Sequence, residues 1–213
     1  REIRIDDNYM FTVVDTVTNT GSAIINVQPV AAMRQLALEE HMKPSPQAHA
    51  GVIGVYGDQK NQMRKYSDLS KGKGVLEEVS SGWIGLTTKS WMAAAVPEQG
   101  EPITMRASVD KANGRTVFQA GYTTSPYTIA PDQSVTKTTR IFAGAKRVSV
   151  LDDYQSSLGI PAFTDAVDWS WLWFITKPFF WLLQMFQGWF GSFALAILAL
   201  TLGDEVQAGA KTM

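Results

Sequence analysis

The 213 residues contain no cysteine and only two histidines. The first absence excludes a disulfide framework and any thiolate metal site, and it fits an exported domain. Two histidines leave little for imidazole catalysis or metal binding. The formal net charge is −1 and the lysines and arginines are scattered. Neither a nucleic-acid footprint nor a polybasic lipid contact is present. The chain opens on Arg1, with no charged n-region and apolar h-region behind it. Any export signal is therefore expected outside these residues, which read as part of a longer chain.

What is present is concentrated near the C-terminus. Five of the seven tryptophans, Trp169, Trp171, Trp173, Trp181 and Trp189, lie in residues 165–202, where Asp165, Asp168 and Lys177 are the only charges. Tryptophan joins an apolar body to one N–H donor and settles at the headgroup level of a bilayer. Ser170, Lys177, Gln184 and Gln187 share one side of a helical wheel, opposite Trp, Leu, Phe and Ile. That pattern predicts an amphipathic helix over 165–188 lying in the interface, capped by Asp165 or Asp168 and kinked at Pro178. Its interface residues are Trp169, Trp171, Trp173, Lys177, Phe179, Phe180, Trp181 and Trp189, with Lys177 snorkelling to the headgroups. Residues 189–202 are apolar but short, about 21 Å of helix against the roughly 30 Å of a bilayer core. They read as the start of a transmembrane helix, followed by a polar tail over 203–213.

The first 145 residues read as a strand-rich, water-soluble domain. Candidate strands are 9–18, 23–30, 51–56, 83–88, 91–96, 102–109, 115–122 and 134–142, rich in valine, isoleucine, threonine and aromatics. Asn19-Thr20-Gly21 reads as a turn, and Asn113-Gly114 is a strong hairpin signal. Short strands at about ten-residue spacing favour an antiparallel sandwich. Residues 39–50 and 67–74 read as exposed loops. From Lys146 the period becomes helical, with Val148, Leu151, Tyr154 and Leu158 on one face and Gly159-Ile160-Pro161 as the stop. Residues 146–160 are thus expected to form a linking helix.

No arrangement for catalysis emerges. His41 and His49 share one proline-rich loop with Glu39 and Glu40, at a spacing that matches no metal motif. Residues 51–57 and 71–74 carry turn glycines without the context of a phosphate-binding loop. No metal, cofactor or catalytic residue is expected.

The run VDWSWLWFITKPFFWLLQMFQGWFGSFALAILALT resembles the interfacial helix and first core transmembrane helix of the YidC/Oxa/Alb family of membrane protein insertases, in its bacterial form. SGWIGLTTKSWMAAAVP (81–97) resembles that family's periplasmic G-W-I block, and residues 127–146 are similar to its last periplasmic strands. The resemblance implies a mainly β chain: an antiparallel, galactose-mutarotase-like β-supersandwich in the periplasm, incomplete at its N-terminus, then the interfacial helix and a truncated transmembrane helix. It implies residence in the bacterial inner membrane, with residues 1–160 in the periplasm. It also implies an insertase and chaperone that handles nascent inner-membrane proteins within the lipid bilayer, alone or with the Sec translocon. The family's basic groove residue has no counterpart here, since Lys211 sits in the polar tail, so this chain alone is not expected to insert proteins. The competing expectation is a periplasmic domain that binds carbohydrate or protein and is carried on a membrane anchor. Sugar chemistry is a third, and it would require His41 or His49.

Overall fold

The computed structural model describes residues 1–37, 49–59, 61–112, 114–167, 181–183 and 185. The chain forms two compact units, Arg1–Asp168 and Trp169–Met213. The first is built from thirteen strands among the described residues. These are β1 Glu2–Ile5, β2 Met10–Thr18, β3 Ile25–Val27, β4 Val30–Leu36, β5 Gly51–Tyr56, β6 Gln62–Lys65 and β7 Val75–Val79; then β8 Gly82–Thr87, β9 Trp91–Val96, β10 Ile103–Ala112, β11 Arg115–Thr124, β12 Tyr127–Ile129 and β13 Ser134–Ala145. Helix α1 is the single turn Tyr66–Leu69, α2 is Val148–Leu158, and a 3-10 turn covers Phe163–Ala166.

All ladders are antiparallel. A seven-stranded sheet runs β1-β2-β13-β9-β8-β5-β6, a four-stranded sheet β4-β11-β10-β7, and β12 pairs with β3. The β10–β11 hairpin closes with Ala112 opposite Arg115 and Gly114 at φ 73°. Glycine takes that left-handed conformation without strain, so Gly114 suits the turn between the two strands.

Two cores lie on opposite faces of the seven-stranded sheet. The first sits between the sheets and includes Val52, Tyr56, Ile84, Leu86, Met105, Phe118 and Tyr122. The second lies under the C-terminal segment and joins Ile53, Val55, Trp83, Ala94 and Phe142 to Leu151, Tyr154, Ile160 and Phe163. Consecutive residues of β5 and β8 alternate between these cores, so every residue of both strands is buried. This is why GVIGVY, and GWIGLT up to its buried Thr87, do not alternate with polar residues. Gly82 (φ 121°) is required where β8 begins, because a Cβ there would lie 1.9 Å from the Val55 carbonyl oxygen.

Several sequence expectations change. Residues 23–30 are two strand segments, because Gln28-Pro29 interrupts the ladder and the Pro29 carbonyl accepts from the Thr124 amide. The chain then continues as β4, which pairs with β11. Strands β1, β6, β7 and β12 are short and rich in charged or polar residues, which hides their alternation. The stretch 67–74 is not wholly a loop. It begins within α1, where Tyr66 and Leu69 are buried and Tyr66 packs on Phe118 at 4.4 Å between ring centroids. Residues 39–48 lie outside the described residues.

If the second core is integral to the fold, Phe163→Ala should destabilise the chain by about 3–5 kcal/mol, the usual cost of removing a fully buried phenyl group. Urea unfolding followed by far-ultraviolet circular dichroism measures this, and a loss below about 1 kcal/mol would show that the segment merely rests on the sheet.

Candidate functional site

The site expected from the sequence is the tryptophan-rich segment and the point where the sandwich hands the chain to it. Trp169, Trp171, Trp173, Lys177, Phe179, Phe180 and Trp189 lie outside the described residues. Trp181 is described, lies in the helical stretch 181–183, and is 62% exposed, with Met185 at 44%. Residues four apart share one helix face, so these two form an exposed apolar stripe. No helix among the described residues is long and apolar enough to cross a membrane.

The end of the sandwich can be built from its residues upward. Helix α2 closes on Gly159, whose left-handed φ of 63° suits a residue without a Cβ. Val150, Leu151 and Tyr154 face the sheet and are buried. The 3-10 turn then inserts Phe163, which meets Trp83 edge-on at 5.1 Å and Phe142 edge-on at 5.8 Å. Such perpendicular contacts set the positive ring edge against the negative ring face.

Hydrogen bonds pin the same segment. The Trp83 indole N–H donates to the Pro161 carbonyl at 2.9 Å, and the Asn61 amide donates to the Asp165 carbonyl. Gln155 Oε1 accepts from the Thr164 backbone and hydroxyl at 3.2 and 3.1 Å. The segment read as a linking helix is therefore packed into the compact unit, which runs to Asp168. Asp165 sits inside the 3-10 turn, and Asp168 lies outside the described residues.

A polar clasp ties α2 to the β1–β2 turn. The Tyr154 hydroxyl lies 2.7 and 2.8 Å from the two Asp6 carboxylate oxygens, and Arg147 donates to Asn8 Oδ1 at 3.0 Å. Asp6 Oδ1 also accepts from the Asn8 and Met10 amides at 3.0 and 2.9 Å. Burial pushes the Asp6 carboxyl upward. The donors from Met10, Tyr154 and Asn8 outweigh it and hold the group below the usual aspartate value. Burial and the Asp6 carboxylate together raise the Tyr154 hydroxyl, which stays protonated as the donor.

Other groups offer less. His41 lies outside the described residues, and His49 Nε2 lies 3.0 Å from the Val52 carbonyl oxygen. No group of three or more histidine or carboxylate residues suited to a metal ion occurs among the described residues. A groove of about 620 Å³ at one end of the four-stranded sheet is lined by Gln28, Glu78, Ser80, Thr104, Thr124 and Ser125 among others. Glu78 is the single carboxylate among the described residues that line it. Lys137 bridges Glu101 at 2.6 Å and Glu98 at 3.2 Å, and lies 4.4 Å from the centre of the Tyr127 ring. Its partners hold it as a structural ion cluster. The sequence reading passed over Asp6 and Lys137, whose partners lie far along the chain.

The fold and its end define a class: an antiparallel two-sheet sandwich, closed on one face by its own C-terminal segment, in a chain that continues into a tryptophan-rich apolar stretch. A family model, YidC periplasmic domain, matches residues 1–182. The chain belongs to this family. Its relatives include the protein named membrane protein insertase YidC in Maricaulis maris, 39% identical over 202 residues and covering 95% of this chain and 34% of that protein. The protein of the same name from Rhizobium etli is 40% identical over 206 residues, covering 95% and 33%. That of Brucella suis is 36% identical over 203 residues, again covering 95% and 33%. The chain thus spans about a third of the length of these curated relatives. Among solved structures, a galactose mutarotase related enzyme from Lactobacillus acidophilus matches 66% of this chain and 59% of its own, at TM-score 0.41 and 8% identity. A likeness that low carries no functional argument.

The Asp6 clasp sets a pH dependence. A carboxylate held below its unfolded pKa of about 3.9 contributes stability that is fully present above that value and is lost as pH falls through its folded pKa. Asp6→Asn should therefore lower the urea midpoint at pH 7, with the gap to the unchanged protein narrowing below about pH 4. A gap that stays constant across that range would show that the Asp6 charge plays no part.

Proposed function

We propose that this chain is the periplasmic domain and membrane approach of an inner-membrane insertase, which assists the insertion and folding of nascent inner-membrane proteins, alone or with the Sec translocon. The family membership and the name shared by the relatives support this reading. The observation that carries it is the docking of α2 and the 3-10 turn on the sheet, which brings the chain to residue 167 from a fixed place on the sandwich. A segment that only tethered the domain would need no such packing.

In this reading residues 1–160 face the periplasm and the helix over 165–188 lies in the periplasmic leaflet, polar stripe to water. Residues 189–202 begin a core transmembrane helix. The tryptophans anchor the helix at headgroup depth, and Lys177 reaches phosphate while its stem stays apolar. The exposed Trp181–Met185 stripe supports that role. The helix then couples the sandwich mechanically to the membrane bundle, and insertion itself takes place in helices outside this chain. The work is binding and displacement in lipid, with no covalent step.

Replacing Trp171, Trp173 and Trp181 together with alanine should sharply reduce co-flotation of the chain with vesicles of phosphatidylethanolamine and phosphatidylglycerol. The circular dichroism of the sandwich should not change. Flotation at the level of the unsubstituted chain would refute interfacial anchoring by these residues.

A further inference from the structure

The buried tyrosines of the sandwich bond their hydroxyls, with one exception. Tyr66 donates to Gln35 Oε1 at 2.6 Å, Tyr122 shares a hydrogen bond of 2.7 Å with Thr139, and Tyr154 donates to Asp6. Tyr56 is 3% exposed, and its hydroxyl has no hydrogen-bond partner in the protein. A buried hydroxyl in that position has lost its contacts with bulk water and gained none in return, which native cores rarely tolerate.

The strands show where this hydroxyl points. A Cβ on Gly54 would lie 2.7 Å from Tyr56 Cε1, so the ring folds back over Gly54, toward the end of β5 that carries Val52. Val52 belongs to the inter-sheet core, and Arg64 of β6 is opposite it. Met105 belongs to the same core, and Glu77 of β7 is opposite it. Residues directly opposite in a ladder lie on one face, so Arg64 and Glu77 both turn to the space between the sheets. Both charges reach the Tyr56 hydroxyl: burial, the largest effect, and the Glu77 carboxylate raise its pKa, while the Arg64 guanidinium lowers it. Among the described residues, however, no hydrogen bond or ion pair joins these three groups. They meet where β6 and β7 end their sheets, beside α1 with its buried Tyr66 and Leu69.

We propose that the Tyr56 hydroxyl, Glu77 and Arg64 together hold an ordered water molecule between the edges of the two sheets. The hydroxyl donates to the water, the water donates to the Glu77 carboxylate, and the Arg64 guanidinium donates to the water's remaining lone pair. Three protein partners are what a buried water typically has. The opposite charges of Glu77 and Arg64 leave the site neutral, which favours a neutral molecule over an ion. Arg64 is exposed and Glu77 half-buried, so the site fills from solvent at the edge. The bridge links β5 and β6 of the large sheet to β7 of the small one, across edges that no backbone ladder joins.

A crystal structure of this chain, at a resolution that shows ordered water, tests the site directly. A water should lie about 2.7 Å from Tyr56 Oη and within hydrogen-bond reach of Glu77 and Arg64, and it should be absent from Tyr56→Phe. No water beside the hydroxyl, or a Glu77 oxygen bonded to it directly, overturns the proposal. Urea unfolding of Tyr56→Phe gives an independent reading. Loss of a bonded hydroxyl should lower the midpoint by roughly half a molar. A midpoint that is unchanged or raised overturns the proposal, since removing an unpaired buried hydroxyl costs the fold nothing.

Discussion

The structure depends on one constraint: the central strands of the large sheet are apolar on both faces, so both faces must be covered. Strands β5 and β8 are buried at every residue. The four-stranded sheet covers one face, and α2 with the 3-10 turn covers the other. Stripping either cover would expose aromatic and branched side chains, each worth about 1.5–3 kcal/mol when buried. The C-terminal segment is therefore part of the fold. Its aromatic contacts, Phe163 against Trp83 and Phe142, determine where the chain leaves the sandwich.

That coupling gives the proposed function its physical basis. A membrane-anchored domain can hang from its anchor by a loose linker or be joined to it by packed structure. Here the last described residues of the sandwich are hydrogen-bonded through Asn61, Gln155 and the Trp83 indole, and the Asp6–Tyr154 clasp ties the helix to the start of the chain. A force or displacement at residue 167 meets the second core directly. The tryptophan-rich stretch that follows has the composition of the interfacial helix proposed above, and the family model extends into it, to residue 182.

Much of this was legible in the residues. Asn113-Gly114 marked the β10–β11 hairpin, and Val148, Leu151 and Tyr154 followed by Gly159 marked α2 and its end. The unbroken apolar runs at 51–56 and 83–86 record burial on both faces, although the sequence reading takes them only as strands. Strands β6 and β7 escaped because QMRK and VLEEV carry the charges that sheet edges tolerate. Strand β4 escaped because Ala31, Ala32, Arg34 and Gln35 blur its alternation. The helix at 148–158 was read as a linker because periodicity shows which face is apolar but not what it meets. The Asp6–Tyr154 contact joins residues 148 positions apart, beyond any local pattern. Of the interface residues named from the sequence, the structure describes Trp181, and that side chain is exposed.

The central claim, that the C-terminal segment belongs to the cooperative fold, is tested most directly by native-state amide hydrogen exchange. The buried-core amides of α2 should exchange only through global unfolding, with the same free energy and denaturant dependence as those of β5 and β8. Exchange of α2 through a local opening, at markedly lower free energy and with little denaturant dependence, would contradict the account and make the segment a tether.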